Sequence, residues 1–327
     1  MLAGSFHYLL MKRISLVIGF TPYHAYAANQ ILQKLEGRVY CAFTKTWPGT
    51  DKPYFRVGPP ISWPVPGRTT LTFLHFSLVV HGLIARGYAL DIYMPHPSHI
   101  LSNYLFFEAI PGKRTYLYED GLLNYYDANI KNPFLSKGKR LLARLGGMRY
   151  RDYAGHLAGY DAGSYDGAFL SMPGKAVRQD RLGTLYQLTF ETQVLAPQHN
   201  TILFLDQDVS SKMSPEARKH CIAIMLATYP PNEYHYLYKP HHDHASGLSE
   251  TMSLLAPELR ALPAEMLIER LRPSHVISFF SSALINIKHG WPQVECVSLG
   301  AAEVVIRRDS KPFSLRELFE DVGVKCL

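Results

Sequence analysis

The chain is poor in cysteine, and the four it has, Cys41, Cys221, Cys296 and Cys326, form no CxxC pair and no framework spacing. That sets aside a disulfide scaffold and fits free thiols in a reducing, cytoplasmic compartment. A long uninterrupted apolar run is also missing. In the opening MLAGSFHYLLMKRISLVIGF the basic pair follows one apolar stretch, and the next breaks at Gly19 and Thr21. This order reads neither as a signal peptide nor as a spanning helix, and Met11 is an alternative natural start. No internal repeat stands out. No aromatic-basic RNA motif or helix-turn-helix pattern is present, so nucleic acid is not an expected partner. Acidic residues, 27, are outnumbered by 34 Lys and Arg for a net charge of +7, which points to anionic partners such as a phosphorylated substrate or an anionic membrane surface.

What is present is enough for a sizeable core: 327 residues, 47% hydrophobic. ISLVIGF followed by TPYHAYAANQILQKLEG is a β-branched apolar run, a turn and a segment with helical apolar spacing. Such units recur. LTFLHFSLVVHGLIARG reads as helix, ALDIYMP as strand, HILSNYLFFEAIPG as helix and RTYLYEDG as strand. A second series begins near Thr201: TILFLDQD is a strand, SPEARKHCIAIMLATYPP a helix capped by Ser214 with Pro215 in its first turn, and YHYLYKP a strand. AEMLIERL, SHVISFF, SALINIKHG and AAEVVIRR continue as helix, strand, helix and late strand. Alternation of this kind predicts an α/β protein with parallel sheets. APQHN reads as a linker, giving a domain of residues 1–197 and one of residues 198–327, two Rossmann-like halves facing each other across a cleft.

In parallel α/β sheets ligands gather beyond the carboxyl ends of strands, and three such ends carry chemistry. In YEDG, Glu119 and Asp120 precede Gly121. The stretch is either an acidic turn or a place where a proton is taken. In YKPHHDH, Lys239 and His241 lie two apart on an extended segment and point the same way, so an ammonium and an imidazole can meet one anion. The same HHDH could be read as a metal cluster, but no second HxH or CxxC completes a tetrahedral site. In FFSSALIN, Ser281 and Ser282 stand at a helix N-terminus, where backbone N–H groups and hydroxyls suit a phosphate. Asp206-Gln207-Asp208 is a DxD that could hold a divalent ion against a nucleotide diphosphate, or a turn lining the cleft. His96-Pro97 precedes the acidic motif and reads as a decoy. SKGKRLLARLGGMRYRDY, residues 136–153, is basic with interspersed apolar residues, either a solvated face or a patch for anionic lipid.

YEDG, KPH and SS in that order resemble the motifs of bacterial sialyltransferases with the GT-B fold, the lipooligosaccharide and capsular polysialic acid enzymes. TPYHAYAANQIL looks like their first strand-turn-helix. The chain departs from the pattern where His241 is followed by His242 rather than proline. The resemblance implies inverting, metal-independent transfer of sialic acid or a related nonulosonic acid from a CMP-sugar donor to a glycan or glycolipid acceptor, with no further cofactor. Glu119 is implied as base with Asp120 beside it, and His241 as donor to the leaving phosphate. Lys239, Ser281, Ser282 and Gln207 are placed on the CMP side, and Glu265 in LPAEML resembles a residue that reads the cytosine. Peripheral membrane association would run through basic residues 137–151. The alternatives are a metal-dependent transferase using Asp206 and Asp208, and a non-catalytic basic glycan-binding protein.

Overall fold

The computed structural model describes residues 12–43, 55–56, 66–130, 136–189, 196–241 and 252–327. The residues proposed as an N-terminal extension and the His242–His244 part of the histidine cluster lie outside these. The chain divides into two compact units, Met1–Leu188 and Thr189–Leu327.

In the first unit β1 (Arg13–Gly19), β2 (Val39–Phe43), β3 (Phe55–Arg56), β4 (Ala89–Met94), β5 (Arg114–Tyr118), β6 (Tyr165–Leu170) and β7 (Leu182–Gln187) form one parallel sheet in the order β3-β2-β1-β4-β5-β6-β7. Ser15 to Gly19 of β1 and all of β4 are buried, as expected where helices cover both faces. Helix α1 (Pro22–Leu32) starts where Thr21 accepts a hydrogen bond from the His24 amide, with Pro22 in the first turn. Helices α2 (Pro66–Ala85) and α3 (Ile100–Phe107) follow β3 and β4. Phe76, Val80, Ile92, Met94 and Leu105 join the core, each such side chain contributing about 1.5–3 kcal/mol on burial. Asp91 in β4 is buried between Arg13 and Arg114. Burial lifts its carboxyl, but Arg114 and Arg13 overcome that and hold it below the ordinary range. Helix α4 (Ser136–Leu145) holds the first part of the basic segment, which runs on beyond it through Arg149 and Arg151.

The second unit repeats the plan. Strands β8 (Gln198–Leu205), β9 (His235–Lys239), β10 (Ser253–Leu254), β11 (Pro273–Ser278) and β12 (Glu295–Ser298) are all parallel. With the two-residue β15 (Lys325–Cys326) they take the order β10-β9-β8-β11-β12-β15. Helix α5 (Pro215–Thr228) is capped by Ser214, whose side chain accepts from the Ala217 amide. The short α6 (Pro257–Arg260) precedes α7 (Ala264–Leu271) and α8 (Ala283–Gly290), and α9 (Leu315–Glu320) ends the series.

Two expectations are corrected. Gln198–Asn200, read as linker, are the first residues of β8, because their backbone pairs with the start of β11. The late strand AAEVVIRR does not enter the main sheet: β13 (Val305–Arg308) turns back on β14 (Lys311–Ser314) as an antiparallel pair. All four cysteines are unpaired, three of them buried. No helix among the described residues is long and apolar enough to cross a membrane.

Candidate active site

Both sheets read 3-2-1-4-5 from one edge, so strand order reverses between β1 and β4 in the first unit and between β8 and β11 in the second. The carboxyl ends at such reversals are where open α/β sheets leave room for a ligand.

At the first reversal the chain brings together residues from three strand ends. β1 runs into Phe20 and Thr21 and then His24 of α1. β4 runs into His96, and β5 into Glu119 and Asp120. Gly19 permits a close approach, since a Cβ there would stand 2.2 Å from the Phe43 ring. His24 is buried; its Nε2 lies 2.7 Å from Asp120 Oδ1, and its Nδ1 accepts the Phe20 amide at 3.1 Å. His96 Nε2 stands 3.4 Å from Asp120 Oδ2, while its Nδ1 accepts from the Ser98 amide and hydroxyl. Asp120 thus lies between two imidazoles with 20% of its side chain open to solvent. Burial raises its carboxyl, but His24 and then His96 outweigh this and bring it down to about 2. Burial in turn lowers His96 to about 4, against the pull of Asp120.

Glu119, one residue earlier, points the other way and is buried. Tyr23 donates to its Oε1 at 2.8 Å. The Ser171 amide and hydroxyl donate to Oε2 at 2.7 and 2.6 Å, and the Tyr125 hydroxyl donates to the same oxygen. Burial raises its carboxyl despite these four donors. The acidic motif is a turn, and it also carries a carboxylate into a cluster of imidazoles. Gly121 takes φ +59° and starts a 3-10 turn, Gly121–Tyr125, while Asp120 faces a cluster of titratable groups.

His96, read as a decoy, belongs to this cluster, because β4 sits between β1 and β5 and its end is flanked by both of theirs. His24 was not singled out either. It lies inside the quoted TPYHAYAANQIL, two residues into α1, and only the strand order shows that it meets the acidic motif.

In the second unit Gln207 Oε1 accepts from the Phe280 amide at 3.1 Å, tying the β8 turn to the β11 turn. Ser281 Oγ accepts from the Ala283 amide, the first of α8, at 3.3 Å, while Ser282 stands at the N-cap position and its side chain makes no cap bond. Lys239 ends β9 and donates from Nζ to the Arg260 carbonyl at 2.8 Å. Burial lowers its ammonium, with Glu265 opposing. The expected reach of Lys239 towards an anion is thus shared with a backbone oxygen. Glu265 is itself buried and accepts from Asn286 Nδ2 at 2.8 Å, and among the described residues Asn286 Oδ1 finds no donor. His241 is partly buried one residue beyond Pro240.

The two aspartates of the DxD are engaged differently. Asp206 is buried and accepts from Arg218 Nη2 at 3.0 Å, the Tyr238 hydroxyl at 2.7 Å and the Gln207 amide at 2.9 Å. Asp208 accepts from the Ser210 amide at 3.0 Å, as turn aspartates do. A pocket of about 340 Å³ opens beside this turn, lined among others by Gln207, Asp208, Ser214, Arg218 and Lys219.

No family model matches the chain, and no curated protein matches it. Solved structures do. The α/β-galactoside α-2,3-sialyltransferase of the luminous marine bacterium Photobacterium phosphoreum is similar over 96% of this chain and 98% of its own, with a TM-score of 0.51 at 11% identity. The fold is GT-B. A structure described as a UDP-N-acetylglucosamine 2-epimerase from Listeria monocytogenes is similar over 97% of this chain and 84% of its own, with a TM-score of 0.50 at 12% identity. At such identities the likeness concerns the GT-B architecture, two parallel-sheet α/β halves, which sugar-nucleotide enzymes of different chemistry share.

Proposed function

We propose that this chain is an inverting glycosyltransferase that moves sialic acid, or a related nonulosonic acid, from a CMP-sugar to a glycan acceptor. The observation that carries the reading is Asp120: an ionised, partly exposed carboxylate at the strand-order reversal of the first sheet, held by His24 and His96. A base in such a reaction must be charged at neutral pH and reachable by a hydroxyl. Asp120 meets both needs, and Glu119 meets the second poorly. In this proposal Asp120 takes the acceptor proton as the acceptor oxygen attacks an oxocarbenium-like centre, a contribution of about 10² to 10⁴ in rate. Glu119 fixes the turn through Tyr23, Tyr125 and Ser171.

The leaving group of a CMP-sugar carries one phosphate, which side-chain and backbone donors can hold without a bridging metal. His241 donates to it as charge builds, Ser282 and the start of α8 contact its oxygens, and Lys239 adds a positive charge. Gln207 holds the β11 turn in place through the Phe280 amide. The role read for Glu265, contact with the cytosine, meets a side chain already turned to Asn286. In the proposal Glu265 acts through Lys239 and Asn286, whose unpartnered Oδ1 can accept from the cytosine amino group.

The test is CMP release. The purified chain is incubated with a panel of CMP-activated nonulosonic acids and CMP-Kdo, and free CMP is followed, beside the same assay on Asp120→Asn. Release from at least one donor that is lost in Asp120→Asn supports the reading. Turnover of UDP-sugars with none of the CMP donors would remove it.

A further inference from the structure

Helix α2 is unusual in what it leaves uncovered. Phe73, Phe76, Val80 and Leu83 are buried at helical spacing, which accounts for one face. The other face is not polar: Leu71, Leu74 and Leu78, at positions i, i+3 and i+7, are 65%, 39% and 63% exposed. Helix α4 does the same with Leu141 and Leu145, one turn apart and 61% and 56% exposed. The two helices meet along a seam. The Ser77 hydroxyl donates to the Gly147 carbonyl at 3.0 Å, and a Cβ on Gly147, in the turn that closes α4, would stand 3.7 Å from Leu74 Cδ1. A Cβ on Gly146 would clash with Phe73 at 2.4 Å, so the close approach of the helices depends on that glycine.

Charge surrounds these leucines with one sign. Between residues 136 and 151 there is no Asp or Glu, while Lys137, Arg140, Arg144, Arg149 and Arg151 are exposed. Arg140 pairs with Asp152 at 3.3 Å. Among the described residues Lys137, Arg144 and Arg149 have no carboxylate partner.

We propose that this seam docks the first unit on an anionic lipid bilayer, with the leucines entering the headgroup boundary and the cations meeting lipid phosphates. Charge complementarity selects the occupant: a second copy of the chain would set cation against cation, whereas an anionic bilayer answers both the charge and the apolar surface. Each Lys or Arg near such a surface adds electrostatic attraction, and a leucine-bearing amphipathic face adds burial in the interface. The surface is built from two helices, so it is wider than the basic segment alone. It does not depend on the reaction proposed above.

The experiment is co-sedimentation of the intact chain with vesicles of phosphatidylglycerol and phosphatidylcholine, and with vesicles of phosphatidylcholine alone. The variants are Leu78→Asp with Leu141→Asp, the milder Leu78→Ser with Leu141→Ser, and Lys137→Glu with Arg144→Glu. The native chain should sediment with the anionic vesicles only, and each pair should lower that partition by about tenfold or more. Melting temperatures close to native establish that the variants fold, and the serine pair stands in should the aspartate pair not fold. Failure of the native chain to bind phosphatidylglycerol vesicles at low salt overturns the proposal. Binding unchanged by the leucine substitutions overturns it too, and so does a native dimer in light scattering that the leucine variants abolish.

Discussion

His24 Nε2 lies 2.7 Å from Asp120 Oδ1, and the direction of that bond is fixed by the far side of the ring. Because His24 Nδ1 accepts the Phe20 amide, Nε2 must carry the hydrogen and donate to the carboxylate. Asp120 Oδ1 is thus the acceptor of this bond, and its Oδ2 faces His96.

The two neighbouring acids should therefore part company on substitution. Asp120→Asn keeps the shape of the side chain and an oxygen for the His24 bond, and is expected to reduce transfer by about 10² to 10⁴, a loss far beyond what its change in stability accounts for. Glu119→Gln puts an amide N–H₂ among four donors and should destabilise the chain by about 1–3 kcal/mol. Turnover and denaturant unfolding of both variants check the contrast. Full activity in Asp120→Asn would exclude it as the base.

Acid should weaken the first unit through its buried histidines. His99 accepts from the Leu101 amide at the start of α3 and stacks on Phe20 at 4.1 Å. Burial pushes it down to about 3, with His96, Lys139 and His24 adding to the effect. Unfolded, the same ring titrates near 6.5. Below that pH the unfolded chain binds a proton that the folded chain refuses, so stability is fully present above about 6.5 and falls as the pH drops towards 3. The loss by pH 5 is about 2 kcal/mol for such a ring. His99→Asn preserves a side chain able to cap α3 and removes the titration. Its unfolding free energy should fall less than the native value between pH 7 and pH 5.

The alternation of strands and helices was legible because β1, β4, β8 and β11 are apolar runs broken by turns, the pattern buried parallel strands require. The edges were not. β7 is largely exposed on its side chains and β15 has two residues, too little periodicity to read. Within the site, the sequence named the strand ends, and the resemblance put Glu119 first as base, whereas the structure buries Glu119 and leaves Asp120 partly open to solvent. Adjacent residues at the end of a strand face opposite ways, and which way is inward depends on Tyr125 from the turn that follows and on Tyr23 and Ser171, which arrive from elsewhere in the chain. His24 and His96 stand 96 and 24 residues from Asp120 in sequence. They join it only because the order β1-β4-β5 sets three strand ends side by side.

Donor turnover should survive excess EDTA. Asp206 is buried and bonded to Arg218 and Tyr238, and turning it to an ion would break both bonds and part it from the half-buried guanidinium. Activity lost in EDTA and restored by Mg²⁺ or Mn²⁺ would return the case to the DxD. As a companion measurement, Arg218→Met should destabilise the second unit, whereas the same change on an exposed arginine should not.

The serine pair offers the sharpest division of labour, because two adjacent hydroxyls have different tasks. Ser281 Oγ accepts from the Ala283 amide, so Ser281→Ala removes a bond to the first amide of α8 at a cost of about 0.5–2 kcal/mol in stability. Ser282 makes no cap bond, and its hydroxyl is open to a phosphate oxygen at the strand-order reversal. Ser282→Ala should leave the melting temperature near native and weaken CMP binding by about tenfold, the worth of one charge-assisted hydrogen bond. His241→Ala should instead lower kcat more than it weakens CMP, since its donation grows with charge on the leaving group. Calorimetric titration with CMP beside thermal unfolding of the three variants separates the roles. CMP affinity unchanged in Ser282→Ala would take the phosphate away from the start of α8, and equal loss in both serine variants without any change in stability would mean that Ser281 is a ligand and not a support for the helix start.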